Sequence, residues 1–284
     1  IILENSSLSL TNAKDAISKH EKLSTNILSK GVSSVAYDFV IKPWTVVNIT
    51  KSADGKDRKR KEIVQIYPDG VNYPGHGFHI SKYEVTQGEF ERIMGFNPSS
   101  NLNIGSNYPV ENVTWYDAVM YCNKLSIDEG LTPYYDITSI LYDGASIRSA
   151  DVTTRGTDGY KLPNYYEWTW TSYGLRAGGS DDYIYSGSDN INDVAWYGAN
   201  SQNKTHLVGE KNINGAGIYD MSGNVWEWCE TDPNTGILDI QTVALGGAYN
   251  SQNMTECDVN GNGYKYMDKN EKNGSCGFRI GLLY

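Results

Sequence analysis

Residues Asn214–Asp232 read NGAGIYDMSGNVWEWCETD. Two acids, Asp220 and Glu227, flank a tight centre made of Gly223 and Asn224. Gly and Asn accept the left-handed backbone angles that sharp turns require. Such a turn can aim two carboxylates and several carbonyls at one point, as a calcium ion needs. The same acids can instead cap or pair locally, and chemistry alone favours that second reading.

Three helix starts lie upstream. Thr86-Gln-Gly-Glu89 precedes FERIM, Thr114-Trp-Tyr-Asp117 precedes AVMYCNKLS, and Asn164-Tyr-Tyr-Glu167 follows Pro163. Each sets a capping residue three positions before an acid, the spacing that satisfies free amides at a helix N-terminus. In the second helix Trp115, Val119, Cys122 and Leu125 share one face, so Cys122 reads as a core thiol. After about residue 63 the remainder reads as short strands and Gly/Asn-rich loops dense in Trp and Tyr. The expected class is α+β, with packed, functional loops. Residues 1–62 read as an N-terminal extension with a short helix over AKDAISKHEKLSTNIL and a β-rich stretch over 35–49. The main domain is expected over 63–284.

The chain has 284 residues, a net charge of −10 and a pI near 4.9. An acidic chain without clustered Lys and Arg argues against a nucleic-acid partner. No apolar run is long enough to span a bilayer. The 4 cysteines form no CxxC, and the 4 histidines do not cluster with them, so zinc is not expected. Of the cysteine pairs, Cys257 and Cys276 close the shortest loop. No P-loop, GxGxxG or GxSxG occurs.

CDVNGNGYKYMDKN, from Cys257 to Asn270, imitates the start of an EF-hand loop: Asp258, Asn260, Asn262 and Gly263 fall in register. The twelfth position, however, is Lys269, which repels the ion and supplies no oxygen. Tyr264 and Tyr266 alternate and would face one side of a strand. Tyr supplies contact area at low entropy cost, and Ser and Asn supply adaptable hydrogen bonds; paratopes use this mixture. The candidate contact residues are therefore Asn250, Ser251, Asn253, Asp258, Asn260, Asn262, Tyr264, Tyr266, Asp268 and Asn270.

Six blocks occur in order: FHISKYEVTQGEF, YPVENVTWYDAVMYCNKLS, GYKLPNYYEWTWTSYG, DVAWYGANSQNKTHLVGEKNINGAGIYDMSGNVWEW, LGGAY and CGFRI. Together, over about residues 65–284, they resemble the formylglycine-generating enzyme, or sulfatase-modifying factor, family. The resemblance implies a loop-rich C-type-lectin-like fold with a twisted antiparallel sheet and two main helices. It also implies a structural calcium ion held by the side chains of Asp220 and Glu227 and the carbonyls of Gly223 and Val225. The enzymes of that family bind copper through two cysteines after the block aligned with LGGAY. Counted from Tyr249, those positions here hold Ser251 and Glu256, and Cys257 is one residue off. A soft copper ion needs thiolates. Neither copper nor the enzyme activity is therefore expected.

The Asn-, Asp-, Ser- and Tyr-rich segment between LGG and CGFRI resembles the C-terminus of variable proteins of diversity-generating retroelements, treponemal ones in particular. That resemblance implies a ligand-binding protein, not an enzyme, with a variable segment at about 245–284. Its partner would be a protein or other macromolecule. It would be extracellular or at the cell surface, as an outer-membrane lipoprotein, touching the membrane only through a lipid anchor outside this sequence. The alternatives are a copper oxidase of the same family with an altered site, and a module for one fixed partner.

Overall fold

The computed structural model describes residues 63–66 (backbone only), 77–100, 104–174, 183–230, 240–259 and 262–283. The readings for residues 1–62 and for Asn260 fall outside these.

The chain forms β1 (Ile63–Ile66), β2 (Phe78–Ser81), α1 (Gln87–Met94), α2 (Trp115–Asp128), β3 (Tyr135–Asp143), β4 (Ser146–Thr154), β5 (Tyr160–Lys161) and α3 (Tyr165–Ser172). Then follow α4 (Ile191–Val194), β6 (Trp226–Trp228), β7 (Gln241–Leu245), a 3-10 turn (Met254–Cys257), β8 (Tyr264–Asp268), β9 (Cys276–Gly277) and β10 (Gly281–Leu283).

All three expected helix starts are capping boxes. The side chains of Thr86, Thr114 and Asn164 accept the amides of Glu89, Asp117 and Glu167, and each acid returns to its cap's amide. Four orphan amides begin every helix, and these reciprocal bonds satisfy two of them from sequence-local groups. Asp117 has a second task. Its other oxygen accepts the Ile147 amide at 2.8 Å, which ties α2 to the β3–β4 hairpin.

Two four-stranded sheets form, ordered β1-β2-β10-β5 and β8-β7-β6-β9, beside the β3–β4 hairpin. This corrects the expectation of one antiparallel sheet, because β6 and β9 run parallel. The chain leaves β8 at one edge and crosses to the far side of β6, and a crossover of this kind is what sets strands parallel. Among the described residues three helices, rather than two, run for two turns or more.

The main core packs Trp115, Val119, Cys122 and Leu125 of α2 against Phe90, Trp226, Trp228, Phe278 and Ile280. A second cluster gathers Phe78, Ile80, Trp168, Met221, Val243 and Leu245. Strand side chains alternate. In WEW the two indoles therefore enter the main core while Glu227 points the other way. In GFRI, Phe278 and Ile280 do likewise and Arg279 opposes them.

All four cysteines are free and buried. Cys257 packs with Tyr185, Ile191 and Val194, whereas Cys276 lies in the main core. The pair with the shortest loop thus sits in different clusters.

β2 is buried along its length, paired with β1 and β10. Burial pushes the His79 imidazole down from an ordinary 6.5 to about 4. The unfolded chain takes up that proton near 6.5 and the folded chain only near 4. Stability is therefore complete above the unfolded value and falls as pH drops through this window. The loss reaches about 3 kcal/mol once both states are protonated. Urea titrations between pH 7 and pH 4 check this, and His79→Gln is expected to flatten the dependence. An equally steep profile in that variant would assign the loss to other groups.

Candidate binding face

The turn from Asp220 to Val225 lies under the face. Asp220, Gly223 and Asn224 all take positive φ (58°, 82° and 60°). A Cβ at Gly223 would collide with the Trp196 carbonyl, so only glycine fits there.

Glu227 receives Arg279 through both oxygens: Nε donates to Oε2 and Nη2 to Oε1, each at 2.6 Å. Trp168 Nε1 donates to Oε2 at 2.6 Å. Arg279 also donates through Nη1 to the Ser81 carbonyl and through Nη2 to the Tyr219 carbonyl. Glu84 accepts Asn224 Nδ2 at 2.9 Å and the Val225 amide at 3.3 Å.

Three buried carboxylates thus face one guanidinium. Burial, and then the nearness of Asp220 and Glu227, raises Glu84 well above the usual carboxylate range. Burial, helped by Glu227 and Glu210, pushes Asp220 up to about 6 against the pull of the Gly209 amide and Arg279. The same three acids hold Arg279 charged despite its burial.

Part of the oxygen set that the resemblance assigns to calcium is left open in this turn. Asp220 uses only Oδ2, toward the Gly209 amide at 2.6 Å. Among the described residues no backbone amide donates to the carbonyls of Gly223 or Val225. Oε1 of Glu227 keeps a second lone pair beside Arg279. No group of three or more His, Cys, Asp or Glu side chains among the described residues is placed to hold a metal. An ion here would rest on two carboxylates and two carbonyls.

The C-terminal segment lies above this turn. β8 is an edge strand of its sheet. Tyr264 and Tyr266 are 44% and 53% exposed, with ring centroids 5.7 Å apart in an edge-to-face pair. Met267, between them and Asp268 in the alternation, is buried in the core. Asn250, Asn253, Asn262, Asp268 and Asn270 are exposed, and Asp258 is half-buried, accepting Asn262 Nδ2 at 3.1 Å. Asn253 also caps the 3-10 turn.

Ser251 is a correction: it is only 3% exposed. Its Oγ accepts the Ala248 amide and its carbonyl accepts the Gly198 amide, so it holds the loop rather than meeting a ligand. Sequence reasoning also missed Met254, 49% exposed on the 3-10 turn, and Tyr166, 55% exposed on α3. An exposed aromatic in the first turn of a short capped helix was the available signal.

Ser251 and Glu256 occupy the two positions of the family's copper cysteines. Cys257 beside them is buried, and burial, then Glu256, pushes its thiol up to about 12. A neutral buried thiol is a poor nucleophile at neutral pH. A cavity of about 400 Å³ opens elsewhere, between α1 and α2. Its charged groups are committed: Glu89 to the Thr86 cap, Arg92 to Asp128 at 2.9 Å, and Glu129 to Tyr160 at 2.7 Å.

A family model described as sulfatase-modifying factor enzyme 1-like domain matches residues 55–281. The chain belongs to this family. Among solved structures, members of the same fold include Treponema denticola variable protein 1, 27% identical with a TM-score of 0.63. That match covers 78% of this chain and 96% of that one. CarF is 25% identical with a TM-score of 0.60, covering 73% of this chain and 87% of its own. PvdO from Pseudomonas aeruginosa, at 18% identity and a TM-score of 0.53, shares the fold alone. A protein named chaperone protein LppX, from Paenibacillus barcinonensis, is 38% identical over 210 residues. The match spans 65% of this chain and 74% of that protein. This sulfatase-modifying factor-like chain therefore resembles a variable protein in fold.

Proposed function

We propose that this chain is a non-enzymatic ligand-binding protein displayed at the cell surface, with a C-terminal face diversified by a retroelement. The observation that carries the reading is the paired, exposed Tyr264 and Tyr266 on an edge strand whose next residue, Met267, anchors in the core. Rigid aromatic anchors surrounded by exposed Asn and Asp form a recognition surface that tolerates exchange of its outward residues. Likeness to a variable protein supports the reading.

Sequencing the 3′ ends of sibling genes tests it. Differences are expected at Asn250, Asn253, Asn262, Tyr264, Tyr266, Asp268 and Asn270. The buried Ser251, Cys257, Gly263 and Met267 are expected to stay constant. An invariant segment would overturn diversification. It would favour instead a module for one fixed partner, the reading that 38% identity to a protein named as a chaperone supports.

Calcium at Asp220, Gly223, Val225 and Glu227 is the structural part of the proposal. A ligand bound only to the native state stabilises it. Adding EGTA to protein purified in calcium is expected to lower Tm by on the order of 5 °C, the size that about 2 kcal/mol gives a domain of this length. A Tm indifferent to EGTA and to added calcium would remove the ion and leave Arg279 as the cation paired with Glu227.

A further inference from the structure

β8 pairs with β7 along one edge, and among the described residues no strand lies along its other edge. The register decides which main-chain groups look out on that open side. The Gly246 amide donates to the Gly263 carbonyl at 2.9 Å, and the Lys269 amide donates to the Ile240 carbonyl at 2.8 Å. Positions that bond to a given neighbour alternate along an antiparallel strand. Lys265 and Met267 therefore bond to β7, and the amides and carbonyls of Tyr264, Tyr266 and Asp268 point away from it. Turns satisfy some of these. The Tyr264 amide donates to the Asn262 carbonyl, and the Asp268 carbonyl accepts the Glu271 amide, each at 2.9 Å. Among the described residues nothing pairs with the Tyr264 carbonyl, the Tyr266 amide and carbonyl, or the Asp268 amide.

Those groups are spaced as a ladder. An antiparallel strand laid beside β8 would set one residue against Tyr266 with both bonds made. Its next residues on the same side would accept the Asp268 amide at one end and donate to the Tyr264 carbonyl at the other. Open edges of this kind are ordinarily blocked by a charge, a proline or a bulge. β8 has no proline, and its register with β7 runs unbroken from Tyr264 to Asp268. Its lysine is drawn over a core ring, with Lys265 Nζ 4.7 Å from the Trp226 centroid. Its one carboxylate, Asp268, stands at the end of the strand and accepts Gln241 Nε2 at 3.0 Å. The open edge is thus flanked by the exposed rings of Tyr264 and Tyr266 and by none of the usual blocks along its middle.

Building on the proposed binding face, we infer that the open edge of β8 takes up an extended segment of a protein partner as an added strand. Main-chain bonds supply affinity in this mode, and alternate side chains supply specificity. The bonds come from the backbone of residues 264, 266 and 268, so they persist when the side chains there are exchanged. The exchanged side chains then select among partners that dock in the same way. A second copy of this chain is the poorer occupant. It would set the tyrosines of both copies side by side and bring together two chains of net charge −10.

A random dodecapeptide library displayed on phage and selected against the full chain tests this, with amide hydrogen exchange read by NMR before and after a recovered peptide is added. The Tyr266 and Asp268 amides are expected to exchange readily in the free chain and at least about tenfold more slowly in the complex. The Lys265 and Met267 amides are expected to be slow in both. N-methylating the peptide one residue at a time is expected to weaken binding about tenfold at alternate positions and little between them. Tyr266→Pro deletes an amide that faces the open side, where a strand tolerates proline. It is expected to keep Tm and to weaken binding about as much as one N-methyl group. An empty selection overturns the inference, and so does a free chain that is already dimeric with both amides slow. Binding that protects neither amide but is lost with Tyr266→Ala overturns strand addition and leaves the face. Binding that protects neither amide and is indifferent to Tyr266→Ala overturns the face as well.

Discussion

Arg279→Met is expected to destabilise the native state by about 3–5 kcal/mol. The guanidinium is fully buried and is the cation facing Glu227, Glu84 and Asp220. Removing it leaves carboxylates uncompensated in a medium that cannot solvate them, which is costlier than losing the hydrogen bonds themselves. Arg279→Lys is expected to rescue little, because a single ammonium cannot reproduce the parallel pair of bonds to Glu227. A Glu227→Gln, Arg279→Met double variant is expected to recover part of the loss, since it removes one charge from each side. Urea midpoints of the four proteins decide the matter. A single-variant loss below about 1 kcal/mol would mean that water or a bound ion already neutralises the acids.

Trp168→Ala is expected to cost about 3–5 kcal/mol, the usual range for emptying a large aromatic site. The residue is 2% exposed, packs with Phe78, Ile80, Met221 and Leu245, and donates to Glu227. It also lines a shallow depression between α3 and β8. Trp168→Phe keeps most of the packing and loses the donor, so it is expected to cost about 1–2 kcal/mol. The difference between the two variants separates cavity from hydrogen bond. Near-equal losses would place the whole effect on the bond to Glu227.

The helix starts were legible from sequence because a capping box is closed by residues three positions apart. Thr86, Thr114 and Asn164 needed nothing from elsewhere in the chain to make their bonds. The α2 face of Trp115, Val119, Cys122 and Leu125 was legible for a similar reason, since helical periodicity is set by backbone geometry. Alternation alone put Tyr264 and Tyr266 on one side of a strand. The ordered motif blocks identified the family, whose model matches most of the chain.

Ser251 was misread because its composition suits a contact surface, while its burial depends on the Ala248 and Gly198 amides closing over it. Nothing within a short window announces that closure. The single antiparallel sheet failed likewise: the direction of β9 follows from a crossover, which local propensity does not encode.

The amino-acid sequence by itself determined where three helices start, which face of α2 is apolar, and which residues could populate an adaptable surface. Those properties depend on neighbours a few positions away. Only the tertiary structure decided what Glu227 does and what Tyr264 faces. Glu227 meets Arg279 at a separation of 52 residues, and Glu84 meets Val225 at 141. Partners that distant are chosen by packing of the whole core, because burying a charge is tolerable only where the fold supplies its counter-charge.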